Sequence, residues 1–253
     1  MPWLALLFFL TAILYASVGF GGGSTYIALL ALADIDYRII PIVALLCNII
    51  VVTGASLRFQ VSGLIPWRRA WPILLLSIPA AWLGGRIPIE REAFLLLLGS
   101  SLAIAAFLLL SNSKPKSNPA KDTGAKKQSL LIAPAIGTAI GFLSGMVGIG
   151  GGIFLAPILL LINWSDTRRI AATASIFILV NSLAGLAGQF SKTGWEEATV
   201  TIAEYWPLFV AVFLGGQIGS HLASKALTEM WIRRLTALLI LYVASRIWWQ
   251  QIA

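Results

Sequence analysis

The chain has 253 residues, of which 58% are hydrophobic and 11% charged, with a mean hydropathy of +0.89. That composition excludes a soluble domain and reads as an all-α integral membrane protein. One cysteine excludes an internal disulfide and one histidine excludes a His-cluster metal site; the net charge of +8 sits between apolar segments, which is topogenic usage rather than a nucleic-acid-binding surface.

The first charge-free stretch covers 1–33. Its opening, MPWLALLFFLTAILYAS, has no basic n-region, and apolar sequence resumes after a glycine cluster, VGFGGGS at 18–24, so a membrane segment is expected rather than a cleaved leader. The second stretch, 39–57, holds Cys47 as a small buried hydrophobe and Asn48, Thr53 and Ser56 as polar residues within an apolar run, with Arg58 just beyond its end. Stretches 70–85 and 93–113 follow, and with them a first repeat over 1–110 is complete. The hydrophilic segment SNSKPKSNPAKDTGAKKQS, 111–129, cannot bury enough apolar surface to fold and reads as a linker.

A second repeat over 130–253 follows the same order. Stretch 128–165 carries Gly137, Gly141, Gly145, Gly148 and Gly152 at helical spacing, and the run SGMVGIGGGIFLAPILLLI at 144–162 matches ASVGFGGGSTYIALLALAD at 16–34 in outline. Stretch 170–191 contains Thr173, Ser175, Asn181, Ser182 and Gln189; stretch 205–224 has Gln217 and, as its one ionisable group, His221. The last segment, 231–249, places Arg233, Arg234 and Arg246 near its ends, where long cationic side chains reach the headgroups. Trp3, Trp67, Trp71, Trp206, Trp231, Trp248 and Trp249 fall near expected helix ends, as an interfacial aromatic belt requires.

Matching glycine clusters in two apolar halves are the sequence sign of discontinuous membrane helices. If each cluster-bearing segment crossed once, Lys and Arg would divide 10 to 8 between the two sides, which is no bias. If each segment turns back at its cluster, the division becomes 13 to 5, with Arg38, Arg86, Arg91, Lys192 and Arg246 on the poorer side. The positive-inside rule favours the second arrangement. The expected fold is therefore two inverted repeats, each a Gly-broken re-entrant or hairpin first segment plus three transmembrane helices. Both termini are expected outside a bacterial cytoplasmic membrane and the linker inside. The segments 24–33 and 153–162 have ten residues each, enough for about 15 Å, so they are expected to end as half-helices.

Helices that begin at Ser24 and Ile153 would aim unsatisfied N–H groups and the positive end of the helix dipole at the breaks, a geometry that binds anions. The candidate substrate site is therefore Gly21, Gly22, Gly23, Ser24, Thr25, Asn48, Gly150, Gly151, Gly152, Asn181 and Ser182. Arg58, Gln189 and His221 are accessory candidates. Each has a plainer reading: close helix contact for glycines, N-capping for Ser24 and Thr25, interhelical hydrogen bonds for the two asparagines, membrane anchoring for Arg58. No catalytic group, metal site or cofactor is expected, since all ten acidic residues fall at segment ends or in loops and no HExxH or Ser/His/carboxylate set occurs.

VGFGGGS at 18–24, GMVGIGGGIFLAPILLL at 145–161, TAS at 173–175 and LGGQIGSHLA at 214–223 make the chain similar to the sulfite exporter TauE/SafE family of membrane transporters over nearly its whole length outside the linker. The resemblance implies an α-helical secondary transporter of two related halves, with sulfite, sulfonates, thiosulfate, sulfoacetate or similar anions as the substrate class. The first half departs from the stronger motif of the second, with Ser24-Thr25-Tyr26 opposite apolar residues and no proline opposite Pro157. The expected function is secondary transport of a small anion by alternating access, with a passive anion channel or organic-carboxylate carrier as the alternative. The expected partners are a small anion and the lipid bilayer, with no nucleic acid; a homodimer stays open.

Overall fold

The computed structural model describes residues 2–111, 127–162, 164–222 and 229–252. Most of the expected linker therefore lies outside the described residues, as does Lys225. The described chain forms eleven helices: α1 Pro2–Val18, α2 Gly23–Leu32, α3 Ile40–Val61, α4 Trp67–Arg86, α5 Arg91–Ser111, α6 Lys127–Val147, α7 Gly152–Leu161, α8 Thr167–Thr193, α9 Trp195–Glu204, α10 Trp206–Leu222 and α11 Glu229–Ile252. Among the described residues Ile40–Val61, Arg91–Leu108 and Thr167–Thr193 are each long and apolar enough to cross a bilayer unaided, and the protein is a multi-pass membrane protein.

Named contacts give the helix directions. Phe8 stacks on Tyr26 with ring centroids 4.8 Å apart, and Tyr15 hydrogen-bonds Thr25 at 2.9 Å, so α2 runs back against α1. A Cβ on Gly19 would meet Phe59 near the end of α3, whereas Gly21 and Gly23 lie against Asn48 near its middle. The chain thus turns at the level of the α3 C-terminus and comes back down beside α3. The second half turns at the opposite level: Gly148 abuts Pro41 at the α3 N-terminus, and Gly150 then reaches Asn48.

The close helix contacts run between halves. Gly137 faces Ile73, Gly141 faces Ser77 and Gly145 faces Ala81, so α6 lies parallel to α4; Gly185 lies against Gly85 and Gly188 against Trp82, so α8 joins the same seam. Glycine on one helix lets the other backbone approach within van der Waals reach, and that is what the stripe at 137, 141 and 145 provides. In the other body Gly215 abuts Phe9 and Gly219 abuts Ile13, so α10 lies parallel to α1. The bodies meet where α3 crosses α8 in antiparallel sense, through a Ser56–Ser175 hydrogen bond of 2.9 Å toward one end and a small apolar cluster of Ile42, Leu45 and Leu186 toward the other.

One kind of boundary differs from expectation, and one helix is additional to it. Helices α2 and α7 begin at Gly23 and Gly152, one residue before Ser24 and Ile153, because the left-handed residue that launches each is the second glycine of its triplet. The segment 195–204 is a helix, α9, that turns 64° into α10 at Tyr205. Pro207 favours the break, since it has no N–H to continue the α9 ladder.

Candidate functional site

Each break begins where its helix runs out. Gly19 and Gly148 leave α1 and α6 at φ +85° and +90°, and Gly22 and Gly151, both at φ +77°, cap α2 and α7 in the left-handed region that L-residues with a Cβ avoid. Neither cap uses a side chain. Of the remaining glycines, Gly150 has φ +82° whereas its counterpart Gly21 does not have positive φ, so the two breaks are alike in their ends and differ in the middle.

Four amides at each break, those of Gly21, Gly22, Gly23 and Ser24 and those of Gly150, Gly151, Gly152 and Ile153, have no acceptor among the described residues. The first hydrogen bonds of α2 and α7 come later, from Thr25 and Tyr26 to the Gly22 carbonyl and from Phe154 and Leu155 to the Gly151 carbonyl. All of these residues but Ile153 are buried. Buried amides without acceptors are rare in proteins, and a concentration of them at two helix N-termini is the physical basis of an anion site.

Asn48 lies between the two breaks. A Cβ on Gly21 would stand 2.6 Å from Asn48 Oδ1, a Cβ on Gly23 would strike both the Asn48 carboxamide and the Ile149 carbonyl, and Gly150 faces Asn48 Nδ2 and Ser182 Oγ. Asn48 Nδ2 donates to the Ile149 carbonyl at 3.2 Å, while Asn48 Oδ1 and Ser182 Oγ, both buried, have no hydrogen-bond partner. Gly21, Gly22, Gly23, Ser24, Gly150, Gly151, Gly152, Asn48 and Ser182 therefore gather in one place, and no charged side chain is among them.

The remaining candidates stand elsewhere. Asn181 is one residue from Ser182, but successive helical residues point about 100° apart, and its Nδ2 donates to Ser77 Oγ at 3.0 Å and to the Phe177 carbonyl at 2.9 Å, on the α4 side of α8. Gln189 donates to the Gly145 carbonyl at 2.9 Å in the same seam. Thr25 is turned toward Tyr15. Arg58 is exposed near the α3 C-terminus, and His221 is exposed with Nδ1 2.8 Å from the Gln217 carbonyl.

Against this geometry stand the comparisons. The family described as "Sulfite exporter TauE/SafE" matches residues 4–247, which leaves almost nothing of the chain outside it. The chain belongs to the TauE/SafE family. Among TauE/SafE relatives, a probable membrane transporter protein of Sinorhizobium fredii, y4hK, is 33% identical over 246 residues, covering 97% of either chain. A probable membrane transporter protein of Methanocaldococcus jannaschii, MJ0441, is 24% identical over 247 residues, 91% of this chain and 90% of that one. In Arabidopsis thaliana, sulfite exporter TauE/SafE family protein 1 is 31% identical over 114 residues, 45% of this chain and 25% of that protein. No solved structure matches the chain.

Within this TauE/SafE member the breaks have neighbours that sequence reasoning passed over. Ile178 packs against Gly21, Gly150 and Gly152. Thr11 and Tyr15 lie against Gly22, and Ile140 and Ser144 lie against Gly151. Counted back from their glycine caps, Thr11 corresponds to Ile140 and Tyr15 to Ser144, so one alignment anchored on the triplets brings out all four.

Proposed function

We propose that this TauE/SafE protein is a secondary transporter that moves a small anion, a sulfur-containing oxyanion or organosulfonate, across the cytoplasmic membrane by alternating access. The observation that carries the reading is the meeting of two glycine-capped helix N-termini, with their free amides, around Asn48. Such a site holds negative charge through oriented N–H dipoles and binds without a fixed cation, so it releases its ligand as readily as it takes it. The names of the relatives support transport, and that of the Arabidopsis protein supports sulfite as a member of the substrate class.

The halves act as inverted repeats. What supports this is the reciprocal layout: α1 turns back at the level of the α3 C-terminus, α6 at the level of its N-terminus, α4 lies along α6 and α10 along α1. The end carrying Asp34, Asp36, Arg38, Arg86 and Lys192 faces outward, and the end carrying Arg58, Arg68, Arg69, Arg168 and Arg169 faces the cytoplasm, as the charge bias requires. Alternating access then consists of rocking the α4–α6–α8 body against the α1–α3–α10 body. The Ser56–Ser175 contact closes the cytoplasmic side, and the Ile42, Leu45 and Leu186 cluster closes the outer side.

The test is a thermal-shift screen of purified protein against sulfite, sulfate, thiosulfate, sulfoacetate, taurine and short carboxylates, followed by flux into proteoliposomes. A ligand that binds only the native state raises its stability by mass action. Selective stabilisation and saturable flux by a sulfur anion are expected; stabilisation by carboxylates alone would move the protein to another substrate class, and no anion effect at all would remove the reading.

A further inference from the structure

The amides at the two breaks are all donors, and Ser182 Oγ adds a hydroxyl that is free to donate as well. A lining of donors alone matches a fully deprotonated oxyanion. Among the described side-chain atoms at the breaks, Asn48 Oδ1 is the exception. It is an acceptor only, it is fully buried, and it has no donor. Its orientation is not free, because exchanging the two ends of the carboxamide would set Oδ1 against the Ile149 carbonyl, acceptor against acceptor, and would forfeit the 3.2 Å bond from Nδ2. The oxygen is thereby held on the side of Gly21, beside the α2 N-terminus.

From this geometry we infer that the transported anion carries a hydrogen of its own, as O–H or N–H, and that Asn48 Oδ1 accepts it while the break amides hold the charged oxygens. The substrate class narrows to singly protonated oxyanions and to sulfonates bearing a hydroxyl or amino group. The inference rests on the anion reading above. The physical ground is the asymmetry of buried polar groups: a site that presents a buried acceptor to a ligand hydrogen rejects the analogue lacking it far more strongly than an apolar pocket distinguishes size.

Two matched pairs test it: ethanesulfonate against 2-hydroxyethanesulfonate, and sulfate against hydrogen phosphate, each measured by stabilisation of the purified protein and by competition in proteoliposome flux. In the wild type the hydrogen-bearing member is expected to bind at least about tenfold more tightly in a pair that binds. In Asn48→Ala that ratio is expected to fall close to one. Equal affinity within a pair, or preference for the hydrogen-free member, overturns the inference while leaving anion transport standing. Binding by neither member of either pair counts against the anion reading itself. Should Asn48→Ala fail to fold, the wild-type ratio alone decides.

Discussion

Asn48 on α3 donates Nδ2 to the carbonyl oxygen of Ile149 at 3.2 Å, across 101 positions of chain, and in doing so ties the middle of a first-half helix to the break of the second half. The same side chain touches Gly21 and Gly23 of the other break. Replacing it by leucine of similar volume leaves the Ile149 carbonyl without its donor in a buried place, which costs about 1–3 kcal/mol. Asn48→Leu is expected to lower the melting temperature in detergent and to abolish anion flux; a variant that melts and transports as the wild type does would show the tie to be idle.

The glycine caps give a second expectation. At Gly22 and Gly151 a Cβ enters the left-handed region, at a cost of roughly 1–2 kcal/mol, and meets Tyr15 in one case and Ile140 and Phe177 in the other. Gly22→Ala and Gly151→Ala are each expected to be destabilising, with Gly151→Leu worse still because its larger side chain enters the Ile140 and Phe177 contact. Gly54→Ala is the control. That glycine lies inside α3 with nothing within 4 Å of the added Cβ, so alanine is expected to be neutral or to stabilise by up to about 1 kcal/mol. Thermal melts of the four variants decide the order.

Ser56 and Ser175 offer a lock. Their hydroxyls are 2.9 Å apart across α3 and α8. In a Cys47→Ala background, cysteines at both positions are expected to be bridged by oxidation or by a short bifunctional thiosulfonate, to stop flux when bridged, and to recover when reduced. A bridged protein that transports at the reduced rate would mean that these helices do not part during the cycle, and failure to bridge would mean that they are not neighbours.

Orientation is open to labelling. With Cys47 replaced, Asp36→Cys is expected to react in intact cells with a membrane-impermeant maleimide, and Ser62→Cys only after the membrane is breached. The reverse pattern would invert the topology, and equal labelling would refute a fixed orientation.

How far the sequence reached depends on the kind of signal. The breaks were legible because three consecutive glycines within apolar sequence have few other uses, and their placement erred by a single residue since the αL cap is itself glycine. Asn48 stood out as a lone amide in an apolar run. Adjacency in sequence puts Asn181 and Ser182 together and hides the turn of the helix between them, and only the bonds to Ser77 and Phe177 separate their faces. Helix α9 is hard to see in the sequence because WEEATVTIAE carries three acids, and only its buried Ala198 and Thr201 mark an inward face. The glycines at 84, 85, 215 and 219 announce a close approach but not to whom. The partner helix is a property of the fold, and no local pattern encodes it.

That exchange of partners bears on how the molecule is made. Helix α1 leaves the ribosome well ahead of the surface it fits, around Gly215 and Gly219, which is synthesised roughly 200 residues later, on the order of ten seconds or more at ordinary elongation rates. Until then its Phe9–Ile13 stripe must wait among lipids, and α4 must wait likewise for α6. Neither half, expressed by itself, has the mate its own glycine ridges were cut to receive, so the two are expected to mature as one unit after the last helices are inserted.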